Sequence, residues 1–155
     1  NQVTLETGSP ITVANFLSDR NYALSGGAKA VAFVAQHARK RFGARMAVKL
    51  AVSGAFHTVY MKPAEDALRE VIEAAEIGAP VVDVVSNVDV KIHRDPAMIK
   101  EMLVRQLTSP VQWESTIRAM VDNGLEEAYE CGPGQTLSTM LKRSNPEVKI
   151  TTVSV

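Results

Sequence analysis

Strand-like and helix-like segments alternate along this 155-residue chain, with turn-forming residues between them. Stretches rich in apolar and β-branched residues occupy 81–87, 125–131 and 148–155, whereas helix-like stretches occupy 61–75 and 135–143. Strands that alternate with helices are typical of a parallel sheet covered by helices. The sequence therefore predicts an α/β fold.

The first third of the chain predicts a different order of elements. Two β-prone stretches, 11–16 and 21–26, flank a turn, and a helix follows over 27–42 with Gly43 as its C-terminal cap. Residues 45–52 then alternate in the period-two pattern of a strand with one wet face. This β-β-α-β order matches a ferredoxin-like unit, β-α-β-β-α-β, without its opening β-α. We therefore expect the beginning of the fold to be missing.

Capping signals mark two further helices. An Asp-Pro pair at 95–96 is a favourable N-cap and first turn, and the helix that it opens carries Gln106 on an apolar face. Ser109 and Gln112 resemble a capping box, which predicts a helix that ends before residue 123. A polar residue on an apolar stripe makes Gln106 a residue of interest.

Composition excludes several classes of function. The 17 basic and 17 acidic residues cancel, and no long Lys/Arg block occurs, so we expect no nucleic-acid or anionic-membrane partner. Cys131 is the single cysteine, which excludes an internal disulfide. The apolar stretches are too short to span a bilayer, and the first residues resemble no targeting peptide. A site for a small or neutral partner is expected.

His57 is the strongest candidate for chemistry. It lies in VSGAFHTVYMKP (52–63), at a predicted strand-to-helix junction, where sites of α/β proteins collect. A histidine base needs a partner that fixes its tautomer and a nucleophile whose proton it accepts. Position alone leaves a working base and a packed or capping ring equally open. We interpret His37 and His93 as solvated side chains.

Two further motifs are interpreted as turns. Ser25 and Ser53 lack the G-x-S-x-G pattern that exposes a nucleophilic serine, so turn or cap roles are favoured. The GPGQT stretch (132–136) offers backbone N–H groups that an anion can bind at a helix start. A plain turn is the favoured interpretation there, because GPGQT is not a phosphate-loop motif.

Five stretches together resemble the malonyl-CoA:acyl carrier protein transacylases, in that family's order and spacing. They are VANFLSDRNYALSGG (13–27), AVSGAFHTVYMKPAEDAL (51–68), VVSNVDV (84–90), EMLVRQLTSPVQW (101–113) and YECGPGQTLSTMLKR (129–143). The resemblance covers almost the whole chain and implies the C-terminal half of a complete enzyme. It implies a partial ferredoxin-like small subdomain over 1–52 and the C-terminal part of an α/β-hydrolase-like acyltransferase core over 53–155.

The resemblance also implies a reaction and its residues. In the family, a serine in a GHSLGE elbow takes a malonyl group from coenzyme A and passes it to the phosphopantetheine thiol of acyl carrier protein, in fatty acid biosynthesis. The catalytic base corresponds to His57, and the backbone carbonyl of Gln106 orients it. Asn15 lines the substrate cleft. Phe56, in a GAFH stretch resembling the malonyl-type HAFH, should crowd an α-methyl group. Malonyl-CoA is a substrate, and no cofactor is implied.

Parts of the family pattern are absent from these residues. The serine elbow, the arginine that grips malonate and the glutamine of the oxyanion hole belong to the missing N-terminal half, so the chain alone is expected to be inactive. LSDRN (17–21) replaces the family's NSPGQ, which affects loop geometry. The alternatives are an acyltransferase domain of a polyketide or fatty-acid synthase and a non-catalytic carrier-protein-binding fragment. The expected location is the cytoplasm of a bacterium, or the plastid or mitochondrion of a eukaryote.

Overall fold

The computed structural model describes residues 2–154 and has a mixed α/β fold. Asn1 and Val155, the outermost residues of the two predicted domains, lie outside the described residues. A 3₁₀ turn spans Val59–Met61. The helices and strands are α1 (Gln2–Thr7), β1 (Ile11–Ser18), β2 (Asn21–Gly26), α2 (Ala28–Phe42), α3 (Lys62–Ala74), α4 (Pro96–Arg105), α5 (Trp113–Asp122), β3 (Glu127–Cys131), α6 (Thr136–Ser144) and β4 (Lys149–Val153).

Two small sheets account for these strands. β1 and β2 form an antiparallel hairpin, whereas β3 and β4 pair in parallel with α6 as the crossover between them. A parallel pair needs such a crossover because its two strands run in the same direction. The predicted hairpin strands and the predicted strands at the end of the chain are confirmed.

Two predicted strands are wrong. Residues 45–52 pair with no strand in the described part of the chain, and Met46 and Leu50 on the expected apolar face are 71% and 57% exposed. Residues 81–87 form a single bridge, between Val85 and Ile92, and are otherwise irregular. Strand periodicity describes side chains, but a strand also needs a neighbouring backbone to complete its hydrogen bonds. The predicted β-β-α-β order is therefore observed as β-β-α.

The predicted helix boundaries are confirmed where a local cap forms. Gly43 ends α2 in the left-handed conformation, with φ +65°. Asp95 caps α4 by accepting a 3.1 Å hydrogen bond from the amide of Ala97, and Pro96 occupies the first turn. Both caps satisfy backbone groups that have no partner inside the helix.

The predicted capping box at Ser109 and Gln112 is wrong. α5 begins later, at Trp113, and its cap residue Gln112 makes no side-chain capping bond. The amide of Val111 instead donates to the carbonyl of Ala14 at 2.8 Å, and the Val111 carbonyl accepts from Phe16 at 2.9 Å. These bonds to β1 keep the backbone extended up to the start of α5.

Two apolar clusters stabilise elements other than α3 and α4. The first contains Val3, Ile11 and Ala30, from α1, β1 and α2. The second contains Ile117, Leu141 and Val148, next to α5, α6 and β4. α5 packs against β1, while α3 and α4 pack against each other. Two bonds from His57, to the carbonyls of Gln106 and Leu107, hold the end of α4 next to the turn that precedes α3.

We expect Asp95→Ala to lower the free energy of unfolding by about 1 kcal/mol, because the amide of Ala97 loses its capping acceptor. Asp95→Asn should lower it by less, since asparagine caps helices almost as well. Urea denaturation of the 155-residue chain measures both changes. Equal losses in the two variants would show that the cap does not stabilise α4.

Candidate active site

His57 lies in a strained turn. Its φ of +62° is in the left-handed region, which few residues other than glycine adopt, although histidine is enriched among those that do. Such a conformation costs about 1–3 kcal/mol and persists where surrounding contacts enforce it. The next residue, Thr58, is buried and caps the 3₁₀ turn by accepting from the amide of Tyr60. The turn therefore fixes the direction in which the imidazole leaves the backbone.

The end of α4 contacts His57 at two points. The ring atom Nδ1 lies 2.8 Å from the carbonyl oxygen of Gln106, and the backbone amide of His57 donates to the carbonyl of Leu107 at 2.9 Å. Two successive carbonyls thus hold both the ring and the backbone of one residue. The ring–carbonyl contact is the one implied by the family resemblance.

These carbonyls are available because the helix has ended. α4 stops at Arg105, and residues 106–108 form a turn whose last carbonyls have no partner further along the helix. Pro110 cannot donate a backbone hydrogen bond, and it disfavours a helical conformation at Ser109. The RQLTSP segment therefore ends α4 and leaves two acceptors facing His57.

The contact with Gln106 decides which tautomer the neutral imidazole adopts. A carbonyl oxygen only accepts hydrogen bonds, so Nδ1 must carry the proton that joins them. In the neutral ring, Nε2 then holds a lone pair that can accept a proton. The Gln106 side chain is exposed and is not needed for this contact. The arrangement is a histidine oriented for general-base chemistry by a neutral main-chain acceptor.

Phe56 and Asn15 are arranged differently around this pair. Phe56 precedes His57 and is 40% exposed, and a Cβ added to Gly54 would lie 3.3 Å from its ring. The glycine therefore leaves room for the Phe56 ring. Asn15 lies on β1, where its backbone bridges to Val111 in the segment that follows Gln106. The backbone thus connects Asn15 to the α4–α5 junction, whereas His57 contacts Gln106 directly.

Sequence reasoning missed two polar side chains that support this region. Asn87 accepts a 3.2 Å hydrogen bond from Thr116 through its side chain, and its backbone carbonyl accepts from Gln112 at 2.8 Å. Glu65 is buried on α3 and accepts from Thr108 in the turn after Gln106. Glu65 was detectable, because it falls on the apolar stripe of the helix predicted over 61–75.

The interpretation of the other two histidines as solvated is wrong. His93 is 14% exposed at its side chain, and its Nε2 lies 3.1 Å from the carboxylate of Asp89. His37 contacts the carbonyl of Phe33 at 2.8 Å through Nδ1 and stacks on that phenylalanine ring. Both partners lie four residues earlier in the chain, so both contacts are local.

The carboxylate of Glu130 already binds the backbone amides that follow the GPGQT turn. One carboxylate oxygen of Glu130 accepts from the amide of Leu137 at 3.0 Å, and the other accepts from the amide of Ser138 at 2.8 Å and from the Ser138 hydroxyl. These N–H groups at the start of α6 are thus already bonded. The favoured interpretation as a turn agrees with Gly132 and Gly134, which both have positive φ.

The bonds to Glu130 predict a pH dependence of stability. The Ser138 hydroxyl, followed by the Ser138 amide, lowers the pKa of the Glu130 carboxyl in the folded protein. A lowered pKa stabilises the fold above the unfolded-state value of about 4.3, and this stabilisation is lost as the pH falls through the folded-state value.

Glu130→Gln should therefore destabilise the chain at about pH 7 and much less at a pH low enough to protonate the wild-type carboxyl in the folded protein. Urea unfolding at the two pH values measures the difference. Glu127→Gln, an exposed position on the same strand, is the matched control and should change stability little at either pH. A Glu130→Gln loss that is independent of pH would contradict the ionised cap.

Within residues 2–154, no group of three or more His, Cys, Asp or Glu side chains could hold a metal ion. None of the helices in the same range combines the length and apolar character needed to cross a bilayer.

Known proteins match the chain over most of its length, although no protein-family model does. A malonyl CoA-acyl carrier protein transacylase of Bacillus subtilis is 38% identical over 149 residues, which are 96% of this chain and 47% of that protein. The mitochondrial malonyl-CoA-acyl carrier protein transacylase of Homo sapiens is 38% identical over 137 residues, 86% of this chain and 35% of that protein.

A solved structure matches as well. A malonyl-transacylase in complex with a type II PKS acyl-carrier protein superposes with a TM-score of 0.90 at 36% identity, covering 98% of this chain and 50% of that one. The chain thus spans about half the length, or less, of the relatives that it matches. By sequence and by fold, it belongs to the malonyl CoA-acyl carrier protein transacylase family.

Proposed function

We propose that this chain supplies the catalytic base of an enzyme that transfers a malonyl group from malonyl-CoA to acyl carrier protein in fatty acid biosynthesis. The observation that carries the proposal is the 2.8 Å contact between Nδ1 of His57 and the Gln106 carbonyl, in a member of this family. That contact leaves Nε2 free to accept a proton.

The nucleophile comes from outside these 155 residues, because they contain no G-x-S-x-G motif. In the first half-reaction, Nε2 of His57 takes the proton of the serine hydroxyl as its oxygen attacks the malonyl thioester. The serine ester forms, the C–S bond breaks, and coenzyme A leaves as the thiol with the proton from His57. In the second half-reaction, His57 takes the proton of the phosphopantetheine thiol as its sulfur attacks the ester. The new malonyl thioester forms, the C–O bond to the serine breaks, and His57 returns the proton to the serine oxygen.

The main-chain acceptor distinguishes this arrangement from a Ser-His-Asp triad. The Gln106 carbonyl holds the tautomer and direction of the ring, but it is neutral and adds no full negative charge beside the imidazolium. The strained turn at His57 and the contact to Leu107 provide further positioning. Hydrogen bonds to neutral carbonyls, and not a neighbouring carboxylate, therefore orient this base.

The domain arrangement is part of the proposal. The β1-β2-α2 order supports a partial ferredoxin-like subdomain over 1–52, and the β3-α6-β4 unit supports part of an α/β-hydrolase-like core over 53–155. The exposed apolar residues of 45–52 and 81–87 are suited to packing against the remainder of a complete protein. The complete protein would work in the cytoplasm of a bacterium, or in the mitochondrion or plastid of a eukaryote.

A second candidate function is acyl transfer onto a polyketide carrier protein. The observation that favours it is the solved malonyl-transacylase in complex with a type II PKS acyl-carrier protein. Both functions use the same base and differ in the carrier that accepts the malonyl group. A non-catalytic carrier-binding fragment would need no oriented histidine.

The roles of His57 and Gln106 are separable by mutation in the complete enzyme. His57→Ala should lower acyl transfer roughly a hundredfold to ten-thousandfold, the range expected for the loss of a general base. Gln106→Ala should cost much less because its carbonyl remains, whereas Gln106→Pro should misplace that carbonyl. Single-turnover rates of serine acylation measure these effects, with thermal melting as the check on folding.

Two results would contradict these roles. A loss in folded Gln106→Ala as large as that in His57→Ala would make the glutamine side chain, and not its carbonyl, the acting group. Malonyl transfer by the 155-residue chain alone, above the uncatalysed rate, would show that the nucleophile lies within it.

Phe56 is proposed to determine substrate choice, because it is 40% exposed and directly precedes His57 in the chain. Phe56→Ser in the complete enzyme should raise the use of methylmalonyl-CoA relative to malonyl-CoA by about 1–3 kcal/mol of discrimination, as a clash with the α-methyl group is relieved. The ratio of kcat/KM for the two substrates measures this. An unchanged ratio would count against a role for Phe56 in specificity.

A further inference from the structure

Glu65 is a buried carboxylate that the proposed reaction does not use. It is 6% exposed, in the first turn of α3. Its Oε1 accepts from the ammonium of Lys62 at 2.8 Å, and its Oε2 accepts from the hydroxyl of Thr108. A carboxylate is costly to bury without such partners, so both bonds are needed where it lies.

The partners of Glu65 keep it ionised. The Lys62 ammonium, followed by the Thr108 hydroxyl, lowers the pKa of the Glu65 carboxyl. The negative charge in the first turn of α3 is also favourable to the helix dipole. A hydroxyl donating to a charged carboxylate forms a stronger bond than one donating to a neutral acceptor.

The bond between Glu65 and Thr108 joins the two segments that meet at His57. α3 follows the His57 turn in the chain, while Thr108 follows Gln106 and Leu107 in the turn after α4. The chain from His57 to Glu65 and the turn from Gln106 to Thr108 are thus connected at both ends. One end is held by the two bonds to His57, and the other by the carboxylate.

Apart from the bonds to His57, the turn from Gln106 to Thr108 is held by backbone bonds that its own amides donate to carbonyls of α4. The Thr108 amide reaches the carbonyl of Arg105 at 3.2 Å, and the Thr108 hydroxyl is 3.5 Å from that carbonyl, too far for a strong bond. These bonds connect the turn to α4 and do not reach α3. The Glu65 bond is a side-chain contact that connects the turn to α3.

We propose that Glu65 is a positioning residue, whose bond to Thr108 holds the 106–108 turn so that its carbonyls stay in contact with His57. For its catalytic meaning, this inference rests on the proposed function. The contact geometry itself can be tested without any acyl transfer.

A second link between the same helices provides a matched control. Arg69 on α3 pairs with Glu101 on α4 at 2.7 Å, one turn away from Glu65 and from the end of α4. Arg69 also lies 3.9 Å from Glu65, so both links belong to one interface. Glu101→Gln weakens α3–α4 packing without touching the 106–108 turn.

The test measures the exchange of the His57 Nδ1 proton with solvent, by NMR of the 15N-labelled 155-residue chain. Thr108→Val removes the hydroxyl with little change in shape and should speed this exchange about tenfold or more, the effect of losing one bond to a charged group. Glu65→Gln should speed it by a smaller factor. Thr108→Ser and Glu101→Gln should leave it close to the wild-type rate.

Each outcome decides the proposal. If folded Thr108→Val exchanges the His57 Nδ1 proton at the wild-type rate, the proposal is overturned. It is also overturned if Glu101→Gln speeds the exchange as much as Thr108→Val does, because that would indicate general loosening of the α3–α4 interface. If Thr108→Val does not fold, the Glu65→Gln rate decides in the same way. In the complete enzyme, Thr108→Val should lower kcat with little change in KM. Absent transfer by the wild-type enzyme would refute the proposed function but leave the exchange result intact.

Discussion

The site depends on the contact between His57 and the two carbonyls at the end of α4. Each partner alone is unfavourable, since His57 occupies a strained left-handed conformation and the carbonyls of Gln106 and Leu107, just beyond α4, have no helical donor. Together, the ring and amide of one residue satisfy two successive carbonyls. The strain at His57 is offset by bonds that also fix the direction of its ring.

The surrounding fold keeps these two segments together. Asp95 caps the start of α4, and the segment before Pro110 ends the helix. The two ends of the helix together define where the carbonyls of Gln106 and Leu107 lie. Val111 is bonded to β1, which prevents the chain after α4 from continuing as a helix. A buried carboxylate on α3 reaches the turn between them. The geometry of the candidate site is therefore a property of helix ends and their partners.

Local signals were sufficient to predict the elements whose partners are nearby in the sequence. The Asp95 cap, the Gly43 cap and the β1–β2 hairpin satisfy their backbone groups within a few residues. The strands predicted over 45–52 and 81–87 fail because their periodicity says nothing about which backbone lies beside them. Long-range side-chain partnerships were likewise invisible. The role of the Gln106 carbonyl was available from the family resemblance and not from periodicity, because a main-chain acceptor leaves no mark in residue type.

The central claim is that the Gln106 carbonyl fixes the proton of neutral His57 on Nδ1 and leaves Nε2 as the base. The most direct measurement is the pair of ring 15N chemical shifts of His57 in the wild-type chain, at a pH where the imidazole is neutral. The account predicts a protonated Nδ1 and an unprotonated Nε2. A proton found predominantly on Nε2 would contradict it, because Nδ1 could then not donate to the carbonyl and Nε2 could not accept a proton from a nucleophile.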